Sequence, residues 1–201
     1  MKSITTILLI SLVFFQYSCM SNMSKEYEIG QHKLIIEVPN SFEEINIDEA
    51  EKFLEEGIEL FEQNGYTEFD DQEALFFFQK GEFSLMKGKK YELKQNINGD
   101  YKSQWNNMKA VLFDVLKKKT LEMDGATIDS ISKIEKINGI EFYVFETNIY
   151  LRDLNNTKTN LKSLRYSTLI ENQDLVIDAS FVDQNDSIEI KKSIKSIQIL
   201  K

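Results

Sequence analysis

The chain has 201 residues, with 24 basic and 33 acidic residues, a net charge of −9 and a single cysteine. This acidic balance argues against nucleic-acid binding, because phosphate backbones are held by clustered Lys and Arg. One cysteine excludes a disulfide framework within the chain, so stability must come from an apolar core, for which the length is sufficient.

The first nineteen residues have the pattern of an export signal. Lys2 precedes an apolar run over 4–15, and Ser18 directly precedes Cys19, the only cysteine. A basic start, a short apolar segment and a small residue at the cleavage point are typical of signal peptides. The run is shorter than the roughly 20 apolar residues of a spanning helix. The segment resembles the signal and lipobox of bacterial lipoproteins, in which such a cysteine is acylated.

That resemblance implies a lipid on Cys19, attachment to the membrane through it, and a location in the cell envelope. Gln16 and Tyr17 depart from the lipobox pattern, which leaves two alternatives open. These are an ordinary secretory signal cut near Ser18 or Ser21, and an uncleaved anchor. The lipoprotein interpretation divides the chain into a signal peptide over 1–18, a polar tether over 19–25 and a single domain over 26–201.

The first part of the domain predicts a hairpin and a helix. Apolar and polar residues alternate on both sides of Gly30–Gln31, and Pro39 ends the second strand. Apolar residues three and four positions apart predict a helix over Asp48–Gln63. Its opposite face is the candidate partner-binding face, the alternative being an ordinary solvated face. The four acidic residues of this face are Glu51, Glu55, Glu59 and Glu62.

The middle of the chain predicts a second hairpin and a long helix. Residues 74–79 and 82–86 read as strands around Lys80–Gly81, extended by Tyr91 and Leu93. Phe76–Phe78 predicts a strand buried on both faces, and an apolar groove for a lipid or peptide is the alternative. A helix over 102–122 follows, with Trp105 expected in the core.

The last third is predicted to be rich in strands. Two long strand patterns flank Asn138–Gly139, a strong hairpin signal. Two more strands follow, with a turn predicted over Glu171–Asp174. A short helix capped by Asn185 or Asp186 and a closing strand over 198–201 complete the chain.

Strands that cluster rather than alternate with helices predict an α+β fold, an antiparallel sheet flanked by helices. The element order, together with Ile140–Phe142 after a Gly turn, Tyr166–Ser167, Phe181–Val182 and Ser193–Ile194, resembles the PsbP-like sandwich. This fold is shared by photosystem extrinsic proteins and by bacterial lipoproteins of the DcrB type. The resemblance implies a non-catalytic protein that binds or stabilises a protein partner.

No residues show a catalytic or metal-binding spacing. His32 is the only histidine and is expected to be exposed in a turn. Ser84 and Ser130 lie in no nucleophile motif. Five further aspartates lack the spacing of a calcium loop: Asp70, Asp71, Asp100, Asp124 and Asp129. We therefore expect no catalytic residue, no metal and no cofactor.

Taken together, these patterns predict a lipid-anchored extracytoplasmic protein that is not an enzyme. Its expected partners are the membrane, through Cys19, and an unidentified protein, with no nucleic acid. Two alternatives stay open. One is an immunity-type lipoprotein that blocks a basic toxin, and the other is a carrier of an apolar ligand in the Phe76–Phe78 region.

Overall fold

A computed structural model describes residues 23–46, 48–49, 52, 73–92, 100–123, 125–152 and 158–201. Within them, the strands form two antiparallel sheets and are accompanied by two long helices. The predicted helix over Asp48–Gln63 lies largely outside the described residues, and Leu93 lies outside them too.

The smaller sheet contains three strands, β1 (Ser24–Ile29), β2 (His32–Glu37) and a C-terminal strand over Gln198–Leu200. β2 lies in the centre. The predicted hairpin is confirmed, with Gly30 at φ +59° in the turn. The predicted closing strand is confirmed as well. β1 begins at Ser24, so the last two residues assigned to the polar tether belong to a strand.

The larger sheet has seven strands among the described residues. In chain order they are β3 (Glu43–Glu44), β4 (Glu73–Lys80), β5 (Ser84–Glu92), β6 (Thr127–Ile137), β7 (Ile140–Arg152), β8 (Lys158–Ile170) and β9 (Gln173–Phe181). The C-terminal strand of the smaller sheet is β10. The spatial order is β3-β4-β5-β9-β8-β7-β6, so the four strands predicted for the last third of the chain, β6 to β9, form an antiparallel meander.

Turn chemistry accounts for the hairpins of this sheet. Asn138 and Gly139 both have positive φ, as a two-residue hairpin turn requires. The turn between β8 and β9 is shorter than predicted, because Gln173 and Asp174 already pair with β8. Glu171, at φ +56°, supplies the left-handed residue of that turn.

The two helices lie on opposite faces of the larger sheet. α1 spans Tyr101–Leu121, and Asp100 caps it by accepting from the Ser103 backbone N–H at 2.7 Å. α2 spans Gln184–Lys195 and is capped by Asp183, not by either residue predicted. Asp186 is instead buried, where it accepts hydrogen bonds from Lys80 at 2.6 Å and from Ser84 at 2.5 Å.

The main core lies between one face of the larger sheet, the smaller sheet and α2. Phe76 and Phe78 belong to this core, whereas Phe77 packs on the other face with Ala74 and Leu85. All three phenylalanines are buried, which confirms the prediction of a strand buried on both faces. α1 covers the second face, where Trp105 is buried as predicted.

Candidate functional site

The predicted site residues lie outside the described part of the chain. This holds for the lipidation residue Cys19 and for the acidic helix face of Glu51, Glu55, Glu59 and Glu62. The structure therefore leaves both predictions as they stood.

His32 is not the exposed turn residue that was predicted. It is the first residue of β2, its side chain is 17% exposed, and its Nδ1 lies 3.5 Å from Glu171 Oε1. The side chains of Glu171 and Gln173, at the connection between β8 and β9, lie against the turn at Gly30. Tertiary contact thus partly buries a residue that lies next to a turn in sequence.

Three described members of the candidate aspartate and serine sets, Asp100, Asp129 and Ser84, have structural partners. Asp100 caps α1, and Asp129 accepts from Asn148 Nδ2 at 2.7 Å. Ser84 is buried against Asp186, and Ser130 is exposed on β6. Within the described ranges, His, Cys, Asp and Glu side chains form no group of three that could hold a metal ion.

A cluster of charged and phenolic side chains lies instead between the larger sheet and α1. We call it the α1 polar cluster. Its members are Lys87, Lys89, Tyr91, Tyr101, Arg165, Asp174 and Asp178. Side chains alternate between the faces of a strand, so residues two or four apart on β5 and β9 share this face. The register places Asp178 between Lys87 on β5 and Arg165 on β8, and Tyr91 opposite Asp174.

Two carboxylates organise the cluster. Asp178 accepts two hydrogen bonds from Arg165, from Nε at 2.6 Å and from Nη2 at 2.8 Å. Such paired bonds are among the strongest that side chains make. Lys89 Nζ lies 3.9 Å from the same carboxylate. Asp174 accepts from Tyr91 Oη at 2.5 Å and from Tyr101 Oη at 2.6 Å.

The cluster fastens α1 to the sheet. Tyr101, the first residue of α1, reaches Asp174 on β9. About two helical turns further along, the Met108 sulfur lies 3.7 Å from Arg165 Nη1 and 3.9 Å from Tyr91 Oη. Trp105 and Tyr143 then pack with ring centroids 6.1 Å apart. These polar contacts therefore add to the apolar packing of α1, which has few buried residues of its own.

Burial shifts the proton affinities of this cluster. It raises the pKa of Asp174 to about 6, against the opposing effect of the hydrogen bonds from Tyr101 and Tyr91. Burial, reinforced by Arg165, lowers the pKa of Lys89 to about 7. Burial alone would raise the pKa of Asp178, but Arg165 holds it below its ordinary value. The cluster can therefore take up and release protons close to neutral pH.

We expect Asp174 to make the protein less stable as pH rises from about 4 to about 6. The folded chain binds the Asp174 proton more tightly than the unfolded chain, so the stabilisation is complete below pH 4 and lost above pH 6. A shift of about two pKa units corresponds to about 3 kcal/mol. Urea unfolding of the wild type and of Asp174→Asn across this range measures the difference.

In that comparison the free energy of unfolding of the wild type should fall by about 3 kcal/mol relative to that of Asp174→Asn between pH 4 and pH 7. The effect of Asp178, which has the opposite sign, is present in both chains and cancels. A difference that stays constant with pH would mean that Asp174 has an ordinary proton affinity in the folded chain.

Sequence reasoning missed this cluster, although part of its signal was present. Lys87, Lys89 and Tyr91 alternate along one strand, and Asp174 and Asp178 are four residues apart on another. Alternation places each set on one face, but a row of charges at such positions normally indicates a solvated face. The burial follows from the position of β5 and β9 in the middle of the sheet, beneath α1.

Within the described residues, neither helix is long and apolar enough to cross a membrane. Comparison with protein-family models and with curated proteins finds no match to this sequence. Among solved structures, the chain is similar to the cyanobacterial PsbP (CyanoP) of Synechocystis sp. PCC 6803, at 9% identity and a TM-score of 0.52. The match covers 90% of this chain and 95% of that one. The chain therefore has a PsbP-like α+β fold.

Proposed function

We propose that this chain is a lipid-anchored extracytoplasmic protein that binds or stabilises a protein partner at the membrane without catalysis. The observation that carries the proposal is the position of the signal-like segment relative to the folded domain. Lys2, the apolar run and Ser18–Cys19 are followed within five residues by Ser24, the first residue of β1. The PsbP-like fold agrees with a binding role by analogy alone.

The short connection restricts where the domain can lie. Five residue steps separate Cys19 from Ser24 and span about 18 Å at most when fully extended. A lipid on Cys19 would therefore hold the domain close to the headgroups. Its partner would have to lie at the membrane surface as well.

The negative net charge of the chain favours attachment to the membrane through a lipid over electrostatic binding to the headgroups. Removal of residues 1–18 takes away Lys2, which leaves 23 basic against 33 acidic residues and a net charge of −10. Anionic headgroups repel such a surface, whereas peripheral proteins that bind them use clustered Lys and Arg. Two or three acyl chains suffice for stable anchoring.

The intact mass of the chain tests the anchor. Wild type and Cys19→Ala are expressed in a bacterial host and compared in the membrane and soluble fractions. We expect a membrane-bound wild type with the mass of residues 19–201 plus acyl chains, and a Cys19→Ala chain without acylation. An unacylated wild type that starts near Ser21 would contradict the anchor and indicate a soluble exported protein.

Charge reversal tests the partner-binding face. We expect Lys in place of Glu51, Glu55, Glu59 and Glu62 to abolish chemical cross-linking to a membrane partner. A matched control reverses four exposed acidic residues elsewhere and should keep the cross-link: Glu26, Glu43, Glu73 and Glu122. Equal cross-linking by the two variants would exclude the acidic helix face as the binding surface.

A further inference from the structure

β6 forms an unusually long edge of the larger sheet. It pairs with β7 without interruption from Thr127, opposite Tyr150, to Ile137, opposite Ile140. Among the described strands none pairs with its outer side. An exposed edge of eleven residues without proline offers a row of backbone donors and acceptors to another strand.

The other sheet edges are shorter. β3 has two residues, β10 has three and β1 has six, against eleven in β6. β6 instead exposes two large apolar side chains, Ile131 at 57% and Ile134 at 52%.

The hairpin turn determines which backbone groups of β6 point outward. A two-residue turn is closed by a hydrogen-bonded pair, here Ile137 and Ile140. Hydrogen-bonded and non-bonded pairs alternate along an antiparallel ladder, so the odd-numbered residues of β6 bond to β7. The even-numbered residues from Ile128 to Ile134 therefore direct their N–H and C=O groups away from the sheet.

We propose that β6 pairs with β6 of a second copy of this chain, antiparallel and about a two-fold axis at Ile131. In this register Ile131 lies opposite itself, and Ile128 lies opposite Ile134. Asp129 lies opposite Lys133 twice, once on each side of the axis. The outward-directed residues then bond to each other, and the two exposed isoleucines are covered.

Charge selects this register among those that align the outward-directed groups. An axis at Ser132 places Asp129 opposite Glu135, and an axis at Lys133 places that lysine opposite itself. Both juxtapose like charges, which destabilises a cross-strand pair. An axis at Ser130 pairs no opposite charges. An axis at Ile134 aligns seven residues instead of nine and so forms fewer backbone hydrogen bonds between the two strands.

The symmetry of this dimer suits two anchored chains. The interface is isologous, and the axis is perpendicular to the joined sheet. Both smaller sheets, with their N-terminal strands, therefore lie on the same face. If both chains carry the lipid of the proposed function, both tethers leave from that face toward one bilayer. Confinement there raises the effective concentration and favours a weak pairing.

Cysteine cross-linking of the full chain tests the register. Opposed side chains have Cβ atoms about 5 Å apart, within reach of a disulfide after small adjustments. We expect oxidised membranes with Ile131→Cys to give at least about ten-fold more disulfide-linked dimer than membranes with Thr127→Cys. The two copies of residue 127 would be eight positions apart, about 27 Å. The wild type measures any background from Cys19. No excess over Thr127→Cys overturns the proposal.

Charge exchange provides a second test that needs no lipid. The full chain in detergent is analysed by sedimentation, with Cys19→Ala in parallel. We expect both to dimerise, so that a failure of the anchor is distinguishable from a failure of the dimer. Lys133→Asp should weaken the dimer at least about ten-fold, and Asp129→Lys/Lys133→Asp should restore it. Monomeric wild type, or a double variant no better than the single one, overturns the proposal.

Discussion

Gly88→Ala is expected to destabilise the protein by about 3 kcal/mol or more. A Cβ at Gly88 would lie 2.2 Å from Phe76 Cε1 and 2.5 Å from its Cζ. The ring cannot withdraw easily, because Phe76 stacks on Phe78 at 5.0 Å and contacts Tyr27 at 5.2 Å. The Gly88 backbone is not in the left-handed region, so the cost is steric. Urea unfolding followed by circular dichroism measures it.

A double-mutant cycle identifies the ring as the cause. In a Phe76→Leu background, Gly88→Ala should cost less than in the wild type, with a coupling of at least about 1 kcal/mol. The shorter side chain makes room for the new methyl group. If Gly88→Ala alone changed the stability by less than about 1 kcal/mol, the close approach of Phe76 to β5 would be wrong.

Arg165→Met is expected to destabilise the protein by about 3–5 kcal/mol, because the variant leaves the buried Asp178 carboxylate without its bidentate partner. The two side chains are only 14% and 15% exposed. For a domain of this size such a loss lowers the melting temperature by roughly 10 °C. Thermal and urea unfolding of the variant measure both quantities.

Two controls separate loss of the pair from loss of the arginine side chain. Arg165→Met/Asp178→Leu should recover at least half of the lost stability, because apolar replacement of a whole buried pair is often tolerated. Lys33→Met breaks an exposed pair with Glu26, at 60% and 58% exposure. It should change stability by less than about 1 kcal/mol. A similar loss in Arg165→Met and Lys33→Met would show that Asp178 does not depend on Arg165.

The hairpins and the long helix could be predicted from residues that are close together in sequence. Alternation around Gly30–Gln31 and around Asn138–Gly139 predicted hairpins that the structure contains, and the long helix was predicted to within one residue at each end. These features depend on neighbours in sequence. The misplaced cap of α2 shows the limit, because Asp183, Asn185 and Asp186 are all good capping residues. Packing against β4 and β5 took Asp186 into the interior.

The candidate site was less predictable than the fold. The pairing of β5 with β9 joins residues that are distant in sequence, since Lys87 lies opposite Asp178, 91 positions later. No local pattern specifies that neighbour. Without it, Lys87 and Lys89 read as ordinary solvated lysines, and Gly88 reads as a weak point in a strand rather than the space that Phe76 fills.

Composition and residues close along the chain were enough to predict the signal-like segment, the acidic charge, most of the turns and the α+β class. Which strands are central, which face α1 covers and which charges are buried follow only from tertiary packing. Burial depends on every element packed around a residue, and those elements come from distant parts of the chain. Burial acts to raise the pKa of both Asp174 and Asp178 on one strand. At Asp178 the Arg165 guanidinium outweighs burial and lowers the pKa, whereas at Asp174 the hydrogen bonds from two tyrosines offset burial only in part and the pKa stays raised.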